Sequence, residues 1–348
     1  MKSPSFVHLH VHTEYSLVDS TVRIPRLMQR CAEDGMPAVA LTDQNNLFAL
    51  VKFYTKAIAA GVKPVIGADI RIVNDDDSGR PHTLILLCQN NDGYRNLSRL
   101  LTKAFLEGQQ RGEPLVLPEW LTRESCAGLI ALSGGLQGDV GRALLLQHHE
   151  EARSALQRWQ EIFDGRFYLE LIRTGRAGEE DCVQASLALA SAQGVPVVAS
   201  NDVHFLEEDG FNSHEARVCV QEGRGLADVD RPRCYSEQQY LRSADEMTEL
   251  FADVPEALLN SVEIAKRCNL DLSLGKSVLP AFPVPDGQDE IVFLESEAKR
   301  GLERLLRAKF EAEDVAAKLR DVVGAPYQER LKIELGVIRD IFSLKFCA

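Results

Sequence analysis

Short apolar runs alternate with helical stretches through most of this chain, and few architectures accept that pattern. Runs at residues 6–12, 36–42, 62–73, 83–88, 128–133, 166–172 and 195–200 read as strands. Helical patterns at 24–34, 47–60, 94–105, 140–146, 150–162 and 179–192 stand between them. Consecutive parallel strands need a crossover, normally a helix, so the alternation predicts an α/β fold with a parallel sheet. The number of units favours a closed α/β barrel over an open sheet, with the active face at the C-terminal strand ends. Residues 74–80 form a polar turn. Beyond residue 275 the texture changes. The stretch 276–289, with its LPAFPVPDG, is Pro-rich and reads as a linker. Stretches 290–313 and 327–342 read as charged helices, a short, mostly helical C-terminal segment. The expected division is a barrel over 1–275, a linker over 276–289 and a further segment over 290–348.

Composition narrows the function. The 348 residues are 45% hydrophobic, enough for a large core. The net charge of −13 argues against a surface that grips duplex DNA broadly. Contact with DNA would be local, or made through other parts of a larger protein. The eight Cys include no CxxC pair and read as reduced thiols of a cytoplasmic protein. The N-terminal MKSPSFVHLHVH has no apolar signal core, and no run approaches a membrane span.

His8, His10 and His12 sit two apart on the first strand, so a regular pleat puts them on one face. Imidazoles at a strand end are natural metal ligands; the bland alternative is a chance cluster of structural histidines. His8, further from the strand's C-terminal end, reads as structural. Asp19 follows in a turn, where Asp is also ordinary turn chemistry. Asp202 and His204 repeat the spacing of two after the run 195–200, a donor pair suited to Mn²⁺, Zn²⁺ or Fe²⁺. Asp43 and Asp69 place further carboxylates near the same face, although Asp43 could instead cap the helix that follows.

The segments HLHVHTEYSLVDS, PAVALTDQNN, VKPVIGADI and ASNDVHF resemble, in order, the motifs of the polymerase-and-histidinol-phosphatase (PHP) superfamily. Longer blocks, among them LVKFYTKAIAAGVKPVIGADI, NNDGYRNLSRLLTKAF and RPRCYSEQQYLRSADEMTELFADVPEALLNSVEIAKRCN, resemble the alpha-subunit family of bacterial DNA polymerase III over residues 5–340. The resemblance implies a PHP-type distorted (β/α)7 barrel that binds a cluster of divalent ions and hydrolyses phosphoesters, in some members as a 3′–5′ exonuclease. It implies His10, His12, Asp19, Asp69, Asp202 and His204 as ligands. Four positions depart from the pattern, the first being Asp69, which stands for a glutamate and is shorter by one methylene. Gln44 stands for a histidine, and Thr83 for another, with His82 one residue away. Gly135 stands where Cys or His is usual. The expectation is therefore weak binding of Mn²⁺, Zn²⁺ or Mg²⁺, or none, with little phosphoesterase turnover. The implied role is structural: docking the proofreading exonuclease subunit and bracing the remainder of the polymerase, with DNA met only through the full-length enzyme. A working metal-dependent exonuclease is the alternative. A free-standing histidinol-phosphatase-like enzyme has no need of the blocks after residue 230. No PDFDVDF-type aspartate motif occurs, and residues 327–338 resemble the lead-in to the palm, so the chain reads as truncated before the polymerase active site.

Overall fold

A computed structural model describes residues 5–74, 79–110, 112–228, 230–276, 282–285 and 287–345, with side chains to residue 341. The chain divides into two compact units, Met1–Leu272 and Ser273–Ala348.

The first unit is built on a curled six-stranded sheet in the order β1-β2-β3-β6-β7-β8. Its strands are β1 (Ala38–Leu41), β2 (Lys63–Ile72), β3 (His82–Cys88), β6 (Leu129–Leu132), β7 (Phe167–Ile172) and β8 (Val197–Ser200). A separate two-stranded ribbon joins β4 (Gln109–Gln110) to β5 (Glu113–Pro114). The segment holding the first histidines spans the gap between the sheet's two edges. Ala40 donates to the His8 carbonyl on one side, and His12 donates to the Val203 carbonyl on the other. It does so through isolated bridges at His8 and Val11 rather than a continuous ladder.

The sheet is mixed, not parallel throughout. The pairs β1–β2, β6–β7 and β7–β8 are parallel, but β3 runs antiparallel to both β2 and β6. The reason lies in the connection: no helix separates β2 from β3, only the polar stretch after Val73, of which residues 75–78 lie outside those described. Without a crossover the chain can only turn back on itself.

Helices α1 (Ile24–Glu33), α2 (Leu50–Ala60), α3 (Asn91–Glu107), α4 (Asp139–Leu145), α5 (His149–Phe163) and α6 (Glu179–Gln193) cover the outer face. Leu27, Phe53, Leu97, Leu156 and Phe163 form the layer between helices and sheet. A second cluster, including Leu9, Val65, Ile85, Ile130 and Val198, fills the inside of the curl. α7 (Phe211–Glu222) and α8 (Ala244–Leu250) follow, and α9 (Pro255–Arg267) lies across the N-terminal strand ends. There Val7 N–H donates to Ser261, Asn260 donates to the Val197 carbonyl, and Lys63 donates to the Ala265 carbonyl. One end of the barrel is thus closed by a helix, and the C-terminal strand ends remain for chemistry.

Close packing of α3 depends on two glycines. A Cβ on Gly93 would stand 1.9 Å from the Gly128 carbonyl oxygen. The described cysteines are all free, and all but Cys234 are buried. Among the described residues, no helix is long and apolar enough to cross a membrane.

The second unit is an antiparallel pair, α10 (Glu290–Ala312) and α11 (Arg320–Lys345). Asp289 caps α10 by accepting from Ile291 and Val292, and Arg339 pairs with Glu295. Of the expected linker 276–289, residues 277–281 and 286 lie outside the described set, as do residues 346–348 at the end of the further segment.

Candidate metal centre at the C-terminal strand ends

His8 does not join the site. The His8 carbonyl bonds toward β1, whereas the His10 carbonyl and His12 N–H bond toward Val203 on the opposite side, so the regular pleat is broken between them and the three histidines do not share a face. The His8 ring stacks edge-on against Phe6, and its Nε2–H donates to the Arg242 carbonyl at 2.7 Å. Burial lowers its pKa to about 4, which keeps the ring neutral.

His10 and His12 do converge with the residues after β8. Ligand atoms of His10, His12 and Asp202 lie within 4.8 Å of one another, as do those of His12, Asp19 and His204. Asp69, inward-facing on β2, closes the group with its Oδ2 3.5 Å from His12 Nε2 and 4.0 Å from His10 Nε2. All six side chains are buried. Asp202 adopts a left-handed backbone, φ +45°, one that Asp tolerates better than most residues.

The hydrogen bonds around these rings call for a cation. Glu170 Oε1 accepts from His10 Nδ1–H at 2.9 Å, which leaves the Nε2 lone pair directed into the site. His12 Nδ1 lies 3.1 Å from Ser16 Oγ and 3.3 Å from Asp19 Oδ1, so its Nε2 also points inward. The two Nε2 atoms are 3.2 Å apart. Two lone pairs at that distance repel unless a proton or a metal ion lies between them. His204 repeats the theme: its Nδ1–H donates to the Asp19 carbonyl at 2.7 Å while Nε2 meets Asp202 Oδ1 at 2.9 Å. Among the described residues, Asp69 Oδ1 and Glu170 Oε2 are buried with no hydrogen-bond partner. A divalent ion bound by imidazole and carboxylate, with Glu170 orienting His10 from behind, satisfies this donor set.

Without the ion, protons take its place. Burial disfavours a charged His12 ring, but Asp19, Asp69 and Asp202 outweigh it and push the pKa up to about 10. Burial holds Asp69 up at about 6 against the pull of His12, His10 and Arg71. Burial opposes ionisation of Asp202 too, yet His204, His10 and Arg176 hold its carboxyl well below the usual range. Arg176 Nη1 lies 3.1 Å from Asp202 Oδ2, and Gln239 donates to the same oxygen at 2.9 Å.

The remaining expected positions stand apart from these ligand groups. Asp43 accepts from Thr13 N–H at 2.6 Å, Thr13 Oγ1 at 2.8 Å and Ser16 Oγ at 3.0 Å. It pins the turn after His12 and does not cap α2, whose N-cap is Ala49. Thr83 faces inward opposite Arg71 on β2 and accepts from its Nη1 at 3.0 Å. His82, one residue earlier, alternates to the outer face in this register and stands away from the site. The Gln44 side chain reaches toward Glu113 Oε1 at 3.5 Å. Gly135 has φ +51°, and a Cβ there would meet Ile172 Cδ1 at 2.9 Å. A larger side chain at that position needs both a different backbone and a moved isoleucine.

Sequence reasoning missed Glu170, Arg71, Arg176, Gln239 and Tyr235, whose hydroxyl donates to Asp19 Oδ2 at 3.3 Å. Only Glu170 left a signal. It is the one acid in the buried strand FYLELI, and a carboxylate in such a run needs a partner.

The PHP domain family matches residues 8–174. DNA polymerase III subunit alpha of Pseudomonas aeruginosa is 47% identical over 336 residues, covering 96% of this chain and 28% of that protein. Its Escherichia coli K12 counterpart is 46% identical over 341 residues, covering 98% of this chain and 29% of that protein. The chain therefore spans less than a third of these relatives. A solved structure described as a metal-dependent phosphoesterase from Bifidobacterium adolescentis aligns at a TM-score of 0.41 and 13% identity, covering 63% of this chain and 98% of its own. That likeness is remote. At near half identity along almost its whole length, the chain is a homologue of the N-terminal, PHP-bearing region of bacterial DNA polymerase III alpha subunits.

Proposed function

We propose that this chain serves as the N-terminal region of a replicative polymerase alpha subunit, holding at most one divalent ion weakly and acting chiefly as a scaffold. In this reading residues 1–275 are the PHP barrel, 276–289 a linker and 290–348 the approach to the palm. The barrel docks the proofreading exonuclease subunit and braces the rest of a cytoplasmic replicase, and DNA is met only through the whole enzyme. The net charge of −13 fits a domain with no broad DNA-binding face of its own.

One observation carries the proposal. The donors split into a half rich in ligands, His10, His12, Asp19, Asp202 and His204, and a half at Gln44, Thr83 and Gly135 that offers an amide, a hydroxyl and no side chain. Mn²⁺, Zn²⁺ or Mg²⁺ in the first half would supply Lewis-acid polarisation of a phosphoryl oxygen. Glu170 and Asp19 fix the tautomers of the two N-terminal histidines, and Arg176 and Gln239 hold the far oxygen of Asp202. The other half offers no imidazole, only an amide, a hydroxyl and the Glu113 carboxylate, which is already engaged by Arg71 and Gln44.

The alternative, a working metal-dependent 3′–5′ exonuclease, draws support from the unpartnered Asp69 Oδ1 and Glu170 Oε2. Metal analysis combined with a 3′-end degradation assay in Mn²⁺ separates the two. The scaffold reading expects no more than one loosely held ion per chain and no degradation above background. Tightly held ions, with nuclease activity abolished by His12→Ala, would overturn it.

A further inference from the structure

The geometry points to Arg71 as a built-in cation that stands in the place of a second divalent ion beside Asp69. The inference rests on the metal-binding reading above and deepens it, since it names what fixes the number of ions.

Asp69 and Arg71 are two residues apart on β2 and share its inward face. Across the hairpin, the antiparallel register sets Thr83 directly opposite Arg71. Arg71 Nη1 donates to Thr83 Oγ1 at 3.0 Å and to Gln137 Oε1 at 3.3 Å. Its Nε lies 3.5 Å from Glu113 Oε1, the same oxygen that the Gln44 amide approaches at 3.5 Å. Gln137 ends the short helical turn that Gly135 begins. The three positions lacking a metal ligand therefore gather around one guanidinium: Thr83 touches it directly, Gln44 meets it through Glu113, and the Gly135 turn meets it through Gln137.

These partners are oxygen acceptors, which suit arginine as they would suit a hard divalent ion. A guanidinium has only donors and is always charged, so it needs acceptors such as a hydroxyl, an amide oxygen and a carboxylate. Those are the groups present. A divalent ion in the same space would face a fixed positive charge and a donor set with no imidazole. Arg71 is a positioning and specificity-determining residue rather than a catalytic one, because its bonds are to this network and not to a reacting group.

The test is a Mn²⁺ titration of the whole chain by calorimetry and equilibrium dialysis, comparing wild type with Arg71→Glu, Arg71→Gln and Arg71→Lys. Arg71→Glu replaces the charge with a ligand and is expected to bind one more ion per chain than wild type. Arg71→Gln removes the charge and should tighten the ion in the histidine half roughly tenfold. Arg71→Lys keeps the charge and should keep the wild-type count. Circular dichroism identifies any variant that fails to fold, and Arg71→Gln carries the test if Arg71→Glu does. Equal counts and affinities in all folded variants would overturn the inference. The wild-type ion tests the other reading separately: one tightly held ion with 3′-end degradation in wild type, and one more ion in Arg71→Glu, defeats the earlier proposal and supports this one. One ion in every variant, at unchanged affinity, does the reverse.

Discussion

Glu170 decides how His10 meets an ion. Its Oε1 accepts from His10 Nδ1–H and from Ser200 Oγ, so one carboxylate fixes both the tautomer and the ring plane. Glu170→Gln keeps an acceptor oxygen but loses the charge that raises the ring's basicity. Titration calorimetry with Mn²⁺ should show affinity falling by about 10–100-fold, with the fold intact by circular dichroism. Unchanged affinity would mean that Glu170 has no bearing on the ion. The site was legible in the sequence where ligands sit two apart at strand ends, as with His10 and His12, and Asp202 and His204. It was illegible where the side chain arrives by another route. Glu170 is single and has no spacing to betray it. Arg71 reaches its place through a cross-strand register that requires knowing β2 and β3 form a hairpin. His8 was read as structural and is so, but it does not share the face of His10 and His12, because the pleat that would align it is interrupted before Val11.

At the level of elements, most helix and strand positions followed from periodicity, since buried strands and amphipathic helices leave plain apolar patterns. Strand direction did not follow, because it depends on the connection between β2 and β3 and not on the strands themselves. Two contacts between elements carry predictions. The start of α3 presses on the chain before β6, where Gly93 leaves no room for a Cβ against the Gly128 carbonyl. Gly93→Ala should destabilise the unit by roughly 1–3 kcal/mol through overpacking, read as a lowered denaturation midpoint with an unchanged slope. Arg173, just past β7, donates to Asp253 at 2.6 and 2.8 Å, to Glu180 at 3.0 and 3.1 Å, and to the Leu250 carbonyl at 2.9 Å. Arg173→Ala should cost about 1–2 kcal/mol at neutral pH, a figure kept low because both carboxylates are half exposed. Hydrogen bonds to Arg173 and Gln184 hold Asp253 and Glu180 below their ordinary values. A depressed carboxylate stabilises above its unfolded pKa of about 4 and loses that contribution as pH falls through its folded value. The difference in stability between wild type and Arg173→Ala should therefore shrink in acid. A difference independent of pH would argue that packing on Phe251, not charge, is what Arg173 supplies.

On the scale of the whole molecule, the first unit builds its cores from its own residues: among those described, neither buried cluster of the barrel draws on a residue beyond Leu272. A fragment ending at Leu272 should melt at the temperature of the barrel transition in the full chain and bind the same number of Mn²⁺ ions. A fall of more than a few degrees, or loss of the ion, would show that the helical pair is part of the barrel's stability. The closure of the barrel also has a consequence in time. The backbone of His10 and His12 pairs with Val203, and Asp19 meets His204 across 185 residues of sequence. At about 5–20 residues per second, the ribosome takes roughly 10–40 s to make the second half of that pairing after the first. For that interval one side of the histidine segment has no native partner to pair with, although its β1 neighbour is already made. The nascent chain thus carries an open strand edge for far longer than hairpins and helices take to form, which makes this segment the place where a holding chaperone has most to protect.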